Sequence, residues 1–299
     1  MLRHLGYVAI NLTLGDAKFR TCRLANATPD KLRELIASNL ATLQNIIAFN
    51  AAHDIHMYRI TSEIIPFASH PINELAWWDE FEPELTAIGA LVRANDMRVS
   101  MHPGQYVVLN SPRPEVVTNA LSDLTWHVRF LDALQVDASC KVNIHLGGIY
   151  GDRDAAIERF IAIANALPGA ITRRLTIEND DRSYTALDAL RASSGTGLPV
   201  VFDWLHHNAN REPDTDTDDI LARCFATWRS DDGPPKTHYS TQADGKRPGA
   251  HADYIDVADF VQFLNAAPDL PFDCMLEAKA KDLALFKLRT QLLSLLSKG

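Results

Sequence analysis

Six metal-binding residue types stand where apolar, strand-forming runs give out. They are His102 in RVSMHP, His145 in VNIHLG, Glu178 in LTIEND, Asp203 in VVFDW, His238 in PKTHYS and Glu277 in CMLEAK. Neutral imidazoles and ionised carboxylates are metal ligands. The successive intervals are 43, 33, 25, 35 and 39 residues. Each is near the length of one strand–helix–strand crossover, about 30 residues or more. Parallel strands repeated in this way bring their C-terminal ends to one mouth, where an α/β barrel builds its active site.

Three loop histidines extend the set. His206 follows Asp203 by three residues in DWLHH, His251 lies in KRPGAH, and His70 lies in PFASHP after the second predicted strand. Together these nine residues offer six imidazoles and three carboxylates, enough for two or three divalent ions if Glu178 and Asp203 bridge. Imidazole-rich sites suit Zn, Mn, Fe, Co or Ni, whereas all-oxygen sites suit Mg or Ca. Paired ions serve phosphate-ester hydrolysis, one supplying the nucleophile and another holding the leaving oxygen. A single histidine is more often structural than ligating, and His4, His53, His56, His127 and His207 are assigned that role. Glu178 resists it, because an unpaired carboxylate ending an apolar strand is costly.

The elements needed to position these groups are visible as about eight strand–helix repeats. Apolar, β-rich runs predict strands at 3–12, 56–62, 98–103, 140–147, 174–180, 199–205, 235–241 and 272–278. Between them, helices are predicted at 29–53, 80–95, 114–135, 153–166, 184–193, 215–228, 255–267 and 281–297. Thr28-Pro29-Asp30 and Ser111-Pro-Arg-Pro114 are helix starts, with proline set for the first turn. Polar stretches at 206–217 and 229–235 read as mobile loops. Alternation of this kind predicts an α/β protein, a (β/α)8 or TIM barrel, with residues 1–299 forming one catalytic domain.

Composition is compatible with this. An apolar fraction of 46% supplies a large core, and no apolar run reaches the ~18 residues that cross a bilayer. The N-terminal segment reads as the first strand rather than a signal peptide. Four scattered cysteines without CxxC pairing argue for a reducing cytoplasm and against a zinc ribbon. A net charge of −9 is a mild objection to a nucleic-acid partner, which usually meets a basic face. Three divalent ions would bring it to −3, with the added positive charge all in the cleft.

The combination GYVAINLTL, PFASHP, SMHPGQY, HLGGIYGD, ENDDR, DWLHH, PKTHYSTQ, KRPGAHADYI and MLEAK resembles the UV damage endonucleases over residues 3 to 280. These are metal-dependent barrel enzymes related to endonuclease IV that nick DNA beside ultraviolet photoproducts. The resemblance implies a ligand set of His102, His145, Glu178, Asp203, His206, His238, His251 and Glu277, with His70 added. It implies manganese first, with Zn, Co or Fe compatible, and damaged double-stranded DNA as partner.

Further groups match the same motifs. Tyr7 and Asn11 alternate along the first strand, and either face the mouth, with catalytic and DNA contacts, or supply a barrel-core aromatic. Gln105 and Tyr106 follow the strand-three ligand, and either enter the helix to replace displaced bases or pack on their own barrel. Lys246 and Arg247 form an exposed basic turn suited to DNA phosphates. Lys236 lies two residues before His238, hence on the same inward face. It is expected to be catalytic as a phosphate-binding cation; a structural lysine is the alternative, and the resemblance suggests a carbamate. Glu178 is expected to be catalytic as a bridging ligand.

The expected activity is a DNA-repair endonuclease that flips the damaged dinucleotide and hydrolyses the phosphodiester immediately 5′ to it, leaving a 3′-hydroxyl and a 5′-phosphate. The alternatives are a metal-dependent sugar isomerase or epimerase on a similar barrel, and a non-catalytic damage-binding protein.

Overall fold

The computed structural model describes residues 1–15 and 17–297. Eight parallel strands close into a barrel in sequence order. They are β1 (Leu2–Val8), β2 (Met57–Ile60), β3 (Arg98–Met101), β4 (Val142–His145), β5 (Leu175–Glu178), β6 (Val200–Asp203), β7 (Lys236–Tyr239) and β8 (Phe272–Leu276). Helices α1 (Pro29–Ala52), α2 (Trp77–Glu80), α3 (Glu82–Ala94), α4 (Pro114–Ala133), α5 (Arg153–Asn165) and α6 (Gly169–Thr172) accompany the first half. Helices α7 (Ala186–Thr196), α8 (Trp204–Ala209), α9 (Thr217–Ala226), α10 (Val257–Ala266) and α11 (Lys281–Leu296) accompany the second. No described helix is long and apolar enough to cross a membrane.

Local chemistry accounts for several boundaries. Thr28 caps α1 by accepting from the Lys31 amide at 3.3 Å, and Pro29 opens the helix without needing a donor. Thr185 and Asp188 form a reciprocal capping box on α7, and Gly197 ends it in the left-handed conformation at φ 72°. The helix expected at 80–95 is two pieces, α2 and α3, because Pro83 in the first turn of α3 cannot continue the hydrogen bonding of the preceding turn.

The strand register explains how the mouth is assembled. In β1–β2, Val8 is opposite Arg59; in β4–β5, His145 is opposite Glu178; in β6–β7, Asp203 is opposite His238. At four other junctions the register slips forward by two residues, for Arg59 faces Ser100, Met101 faces Val142, Glu178 faces Val201 and His238 faces Met275. Four two-residue steps equal the shear of about eight expected of such a barrel. They bring Val8, Arg59, His102, His145, Glu178, Asp203, His238 and Glu277 into one inward course.

β1 is shorter than expected and ends before Asn11. Ala9 adopts φ 68°, and the chain turns away from the barrel there. The stretches read as mobile loops carry some structure of their own. Residues 204–209 are α8, and the 229–235 segment is pinned beneath the barrel. There Arg98 donates to the Asp232 and Pro234 carbonyls at 3.0 and 2.7 Å, and Lys141 donates to the Asp232 carboxylate at 2.5 Å.

Candidate metal centre at the mouth of the barrel

Side chains of the inward course end within a few ångströms of one another. Donor atoms of His102, His145 and Glu178 all lie within 4.8 Å of each other, as do those of Glu178, Asp203, His238 and Glu277. Glu178 belongs to both groups. Its Oε2 lies 3.3 Å from His102 Nε2, and its Oε1 lies 3.0 Å from His238 Nδ1. His206 Nδ1 stands 3.5 Å from Glu178 Oε1 and 3.7 Å from Asp203 Oδ2. His251 Nδ1 stands 3.8 Å from Glu277 Oε2.

Asp203 shows how local folding aims a ligand. It ends β6 and caps α8, accepting from the His206 amide at 2.7 Å. The three-residue spacing of DWLH is thus the geometry of an N-cap, which carries the His206 ring back over the strand end. Asn179 fixes this corner by bonding both the amide and the carbonyl of Asp203, at 2.9 and 3.0 Å.

Electrostatics separate the roles. Burial raises the Glu178 carboxyl, but the surrounding imidazoles, with His238 and His145 foremost, outweigh it and hold the group well below its ordinary range. For Glu277, burial is likewise outweighed, by the Arg59 guanidinium and then His238, and the carboxylate is strongly favoured. Burial pushes Asp203 up to about 6. Burial opposes charge on His206, yet Asp203 and Glu178 lift it to about 11, so it holds a proton that a bound metal ion would displace. Burial keeps His145 and His238 neutral, the latter at about 4, with lone pairs free for a ligand.

Five buried polar atoms of this cluster have no hydrogen-bond partner: His145 Nδ1, Asp203 Oδ2, both ring nitrogens of His238, and Lys236 Nζ. His238 is near Glu178 but not aligned to bond it. An unpaired buried polar atom costs about 1–3 kcal/mol, so such a concentration needs a partner. Converging imidazole and carboxylate lone pairs fit divalent metal ions. Six of the nine expected ligands therefore converge in these two groups, and His206 and His251 adjoin them, each with Nδ1 on a backbone carbonyl, that of Asn179 at 3.1 Å and that of Glu277 at 2.8 Å.

His70 does not. It is exposed, its Nδ1 accepts from the Ile72 amide at 3.0 Å, and its ring packs edge-on to Phe67 at 6.0 Å. The tight turn of ASHP-I, rather than the mouth, decides its direction.

Tyr7 also departs from the mouth-facing expectation. Inward positions on β1 are Gly6 and Val8, and Tyr7 points to the helix layer, where its hydroxyl donates to Asn50 of α1 at 2.8 Å. Asn11 then donates to the Tyr7 hydroxyl at 2.8 Å. Both are buried, Tyr7 completely, so they form a β1–α1 brace rather than a DNA-facing pair.

Lys236 is on the inward face one step below His238 and is 1% exposed. Burial, then the Arg98 and Arg59 charges, lowers its amine to about 7. Gln105 and Tyr106 are exposed in the loop after β3. Lys246 and Arg247 are exposed as well, but Arg247 is already paired to Asp181 at 2.5 Å across the mouth.

Two positions escaped sequence reading. Arg59 binds Glu277 directly, and its signal was a lone charge at an inward position of MYRI. Asn143, two residues before His145, donates to Glu178 while accepting from Thr176 at 2.8 Å. Period-two counting back from His145 finds it.

Comparison with known proteins places the whole chain in one family. The family model described as UV-endonuclease UvdE matches residues 3–297. The UV DNA damage endonuclease of Bacillus cereus strain B4264 is 39% identical over 304 residues, covering 98% of this chain and 95% of that protein. The crystal structure of SacUVDE superposes with a TM-score of 0.90 at 37% identity, covering 98% of both chains. Endonuclease IV from Thermus thermophilus shares the fold, with a TM-score of 0.57 at 14% identity over 98% of this chain and 99% of that one. The chain belongs to the UV-endonuclease UvdE family.

Proposed function

We propose that this protein nicks duplex DNA immediately 5′ to ultraviolet photoproducts by metal-assisted hydrolysis, leaving a 3′-hydroxyl and a 5′-phosphate. Family membership supports the DNA-damage substrate. The observation that carries the chemistry is the sharing of Glu178 between two ligand groups, which suits a cluster of two or three divalent ions. Its ligands would be His102, His145, Glu178, Asp203, His206, His238, His251 and Glu277, with manganese the first expectation. Such ions, when bound, supply Lewis acidity and a nucleophile at neutral pH.

The chain's own residues do the rest. Glu178 is kept ionised by its imidazole surround and oriented by Asn143, which suits a shared ligand. Arg59 clamps Glu277 and keeps its carboxylate ionised. Lys236 acts from beneath the cluster, and its charged form stabilises the charge that builds at phosphorus and the departing oxygen. An amine with a pKa of about 7 and no partner is also reactive toward carbon dioxide, which favours a carbamate as a second state. Gln105 lines the cavity beside His102 and His145, and it and the exposed Tyr106 would fill the gap left by a flipped dinucleotide. The exposed turn with Lys246 meets the backbone.

Barrel shape alone would also accommodate a sugar epimerase, and family membership weighs against it. All four cysteines are free, consistent with work in a reducing cytoplasm. The test is cleavage of an end-labelled duplex carrying one defined photoproduct, after chelation and with single metals restored. A metal-dependent product ending 5′ to the lesion in a 3′-hydroxyl is expected. Cutting elsewhere, or cutting undiminished by chelation, overturns the proposal.

A further inference from the structure

Tyr150 lies five residues after His145, in the loop 146–152 that leaves β4. It combines features that a packing tyrosine does not need. Its backbone is left-handed, at φ 53°, a conformation that bulky side chains rarely adopt. The residue is 45% exposed. The ring is also laid on bare backbone, since a Cβ on Gly148 would meet its Cζ at 2.9 Å and its Cε2 at 3.0 Å.

The support beneath the ring is rigid. Asn110, wholly buried, accepts from the Gly148 amide at 3.2 Å and donates to the Gly148 carbonyl at 2.9 Å. The buried Tyr184 hydroxyl donates to the same carbonyl at 2.9 Å. Arg159 holds the Asn110 carbonyl at 3.0 Å and places its guanidinium 5.8 Å from the Tyr150 ring centre. Backbone strain that the surroundings over-determine in this way is a mark of functional positions.

Tyr150 also lines a cavity of about 340 Å³, together with Gln105, His102, His145, Asp181 and His206. That volume is at the small end of ligand pockets, and three of its walls are candidate metal ligands. The neighbouring loop repeats the device: a Cβ on Gly104 would lie 2.4 Å from the Tyr106 ring. Gly104-Gln105-Tyr106 and Gly148-Ile149-Tyr150 thus set two exposed rings on consecutive loops.

We propose that Tyr150 is a stacking platform for a base turned out of the duplex into this cavity. The inference rests on the endonuclease reading above. A stacked ring holds any base by its face, which suits recognition of damage rather than of sequence. A fixed ring loses little freedom on binding, which is the benefit of holding it in a strained backbone.

The test uses the full-length, metal-loaded protein and its Tyr150→Phe, Tyr150→Leu and Tyr150→Gly variants. The probes are duplexes with and without a single photoproduct, plus one carrying a non-hydrolysable phosphonate at the scissile position for affinity. Phenylalanine should behave as wild type. Leucine and glycine should weaken damaged-duplex affinity roughly ten- to a hundred-fold, as loss of one stacked base does. Undamaged-duplex affinity and metal content should not move. The glycine variant should melt at the same temperature as wild type or higher, because glycine adopts φ 53° without strain.

Wild-type affinity in the leucine and glycine variants would overturn the platform, as would losses that track metal content or melting temperature. A loss in the phenylalanine variant would assign the role to the hydroxyl and overturn stacking. Failure of the wild-type protein to nick the photoproduct duplex would instead overturn the endonuclease reading itself.

Discussion

The imidazole of His238 reaches Glu178 across an intervening strand, with Nδ1 3.0 Å from Oε1. The two residues belong to β7 and β5, and β6 lies between them. The same nitrogen is 3.2 Å from Glu277, the residue that follows β8. One imidazole nitrogen therefore stands between two carboxylates of one ligand group, and Glu178 is the residue that this group shares with the other.

Glu178→Gln should nearly abolish nicking while leaving the barrel folded. The amide removes one negative charge and one ligand atom from both ligand groups. Metal analysis should show reduced content, and circular dichroism should be unchanged. A metal-deficient but fully active variant would remove Glu178 from the mechanism.

Lys236→Ala should lower turnover more than damaged-DNA affinity, on the order of a hundred-fold, as for loss of one transition-state donor. If the amine is carboxylated, added bicarbonate should alter wild-type activity and leave the variant unaffected. Intact mass under mild conditions distinguishes amine from carbamate. Normal turnover in the alanine variant would make Lys236 structural.

Replacing Gln105 and Tyr106 together with alanine should weaken binding and cutting of damaged duplex at constant metal content. Unstacking costs a few kcal/mol, and these side chains would offset part of it. The same lesion in single-stranded DNA, or opposite an abasic gap, needs less unstacking, so the loss there should be smaller. Equal losses on all three substrates would mean that the loop contacts only backbone.

His127 predicts a loss of stability on acidification. It is completely buried on α4, between the Asp123 carbonyl at 2.8 Å and the Ser62 hydroxyl at 3.0 Å, and burial lowers its pKa to about 3. The unfolded chain binds this proton near 6.5, so below that pH it holds more protons than the folded chain, and acid favours unfolding. The loss amounts to about 1.4 kcal/mol per pH unit, or about 2 kcal/mol at pH 5, and levels off only near pH 3. Urea unfolding from pH 7 to 5 should show a shallower decline for His127→Gln. Identical slopes would assign the acid sensitivity elsewhere.

Much of this molecule was legible in one dimension. Strands buried on both faces read as apolar runs, and a His, Glu or Asp at the end of such a run has few reasons to be there besides chemistry. Six candidate ligands and all eight strands follow from that contrast, and helix starts follow from side chains such as Thr28 that bond their own neighbours. Interactions between distant elements were not legible. Tyr7 faces α1 because Ala9 turns the chain and Asn50 accepts its hydroxyl; residues 3–12 carry no sign of either. Arg59 matters only because Glu277 lies within its reach, and His70 turns away because Ile72 offers a closer donor. The four register steps that align His102 with Glu277 are set by strand tilt on closure, and a single strand holds no information about tilt. The residue types able to do the chemistry were thus determined by the sequence. Which of them meet was decided by the closed barrel, because meeting depends on stagger, turn direction and partners far away along the chain.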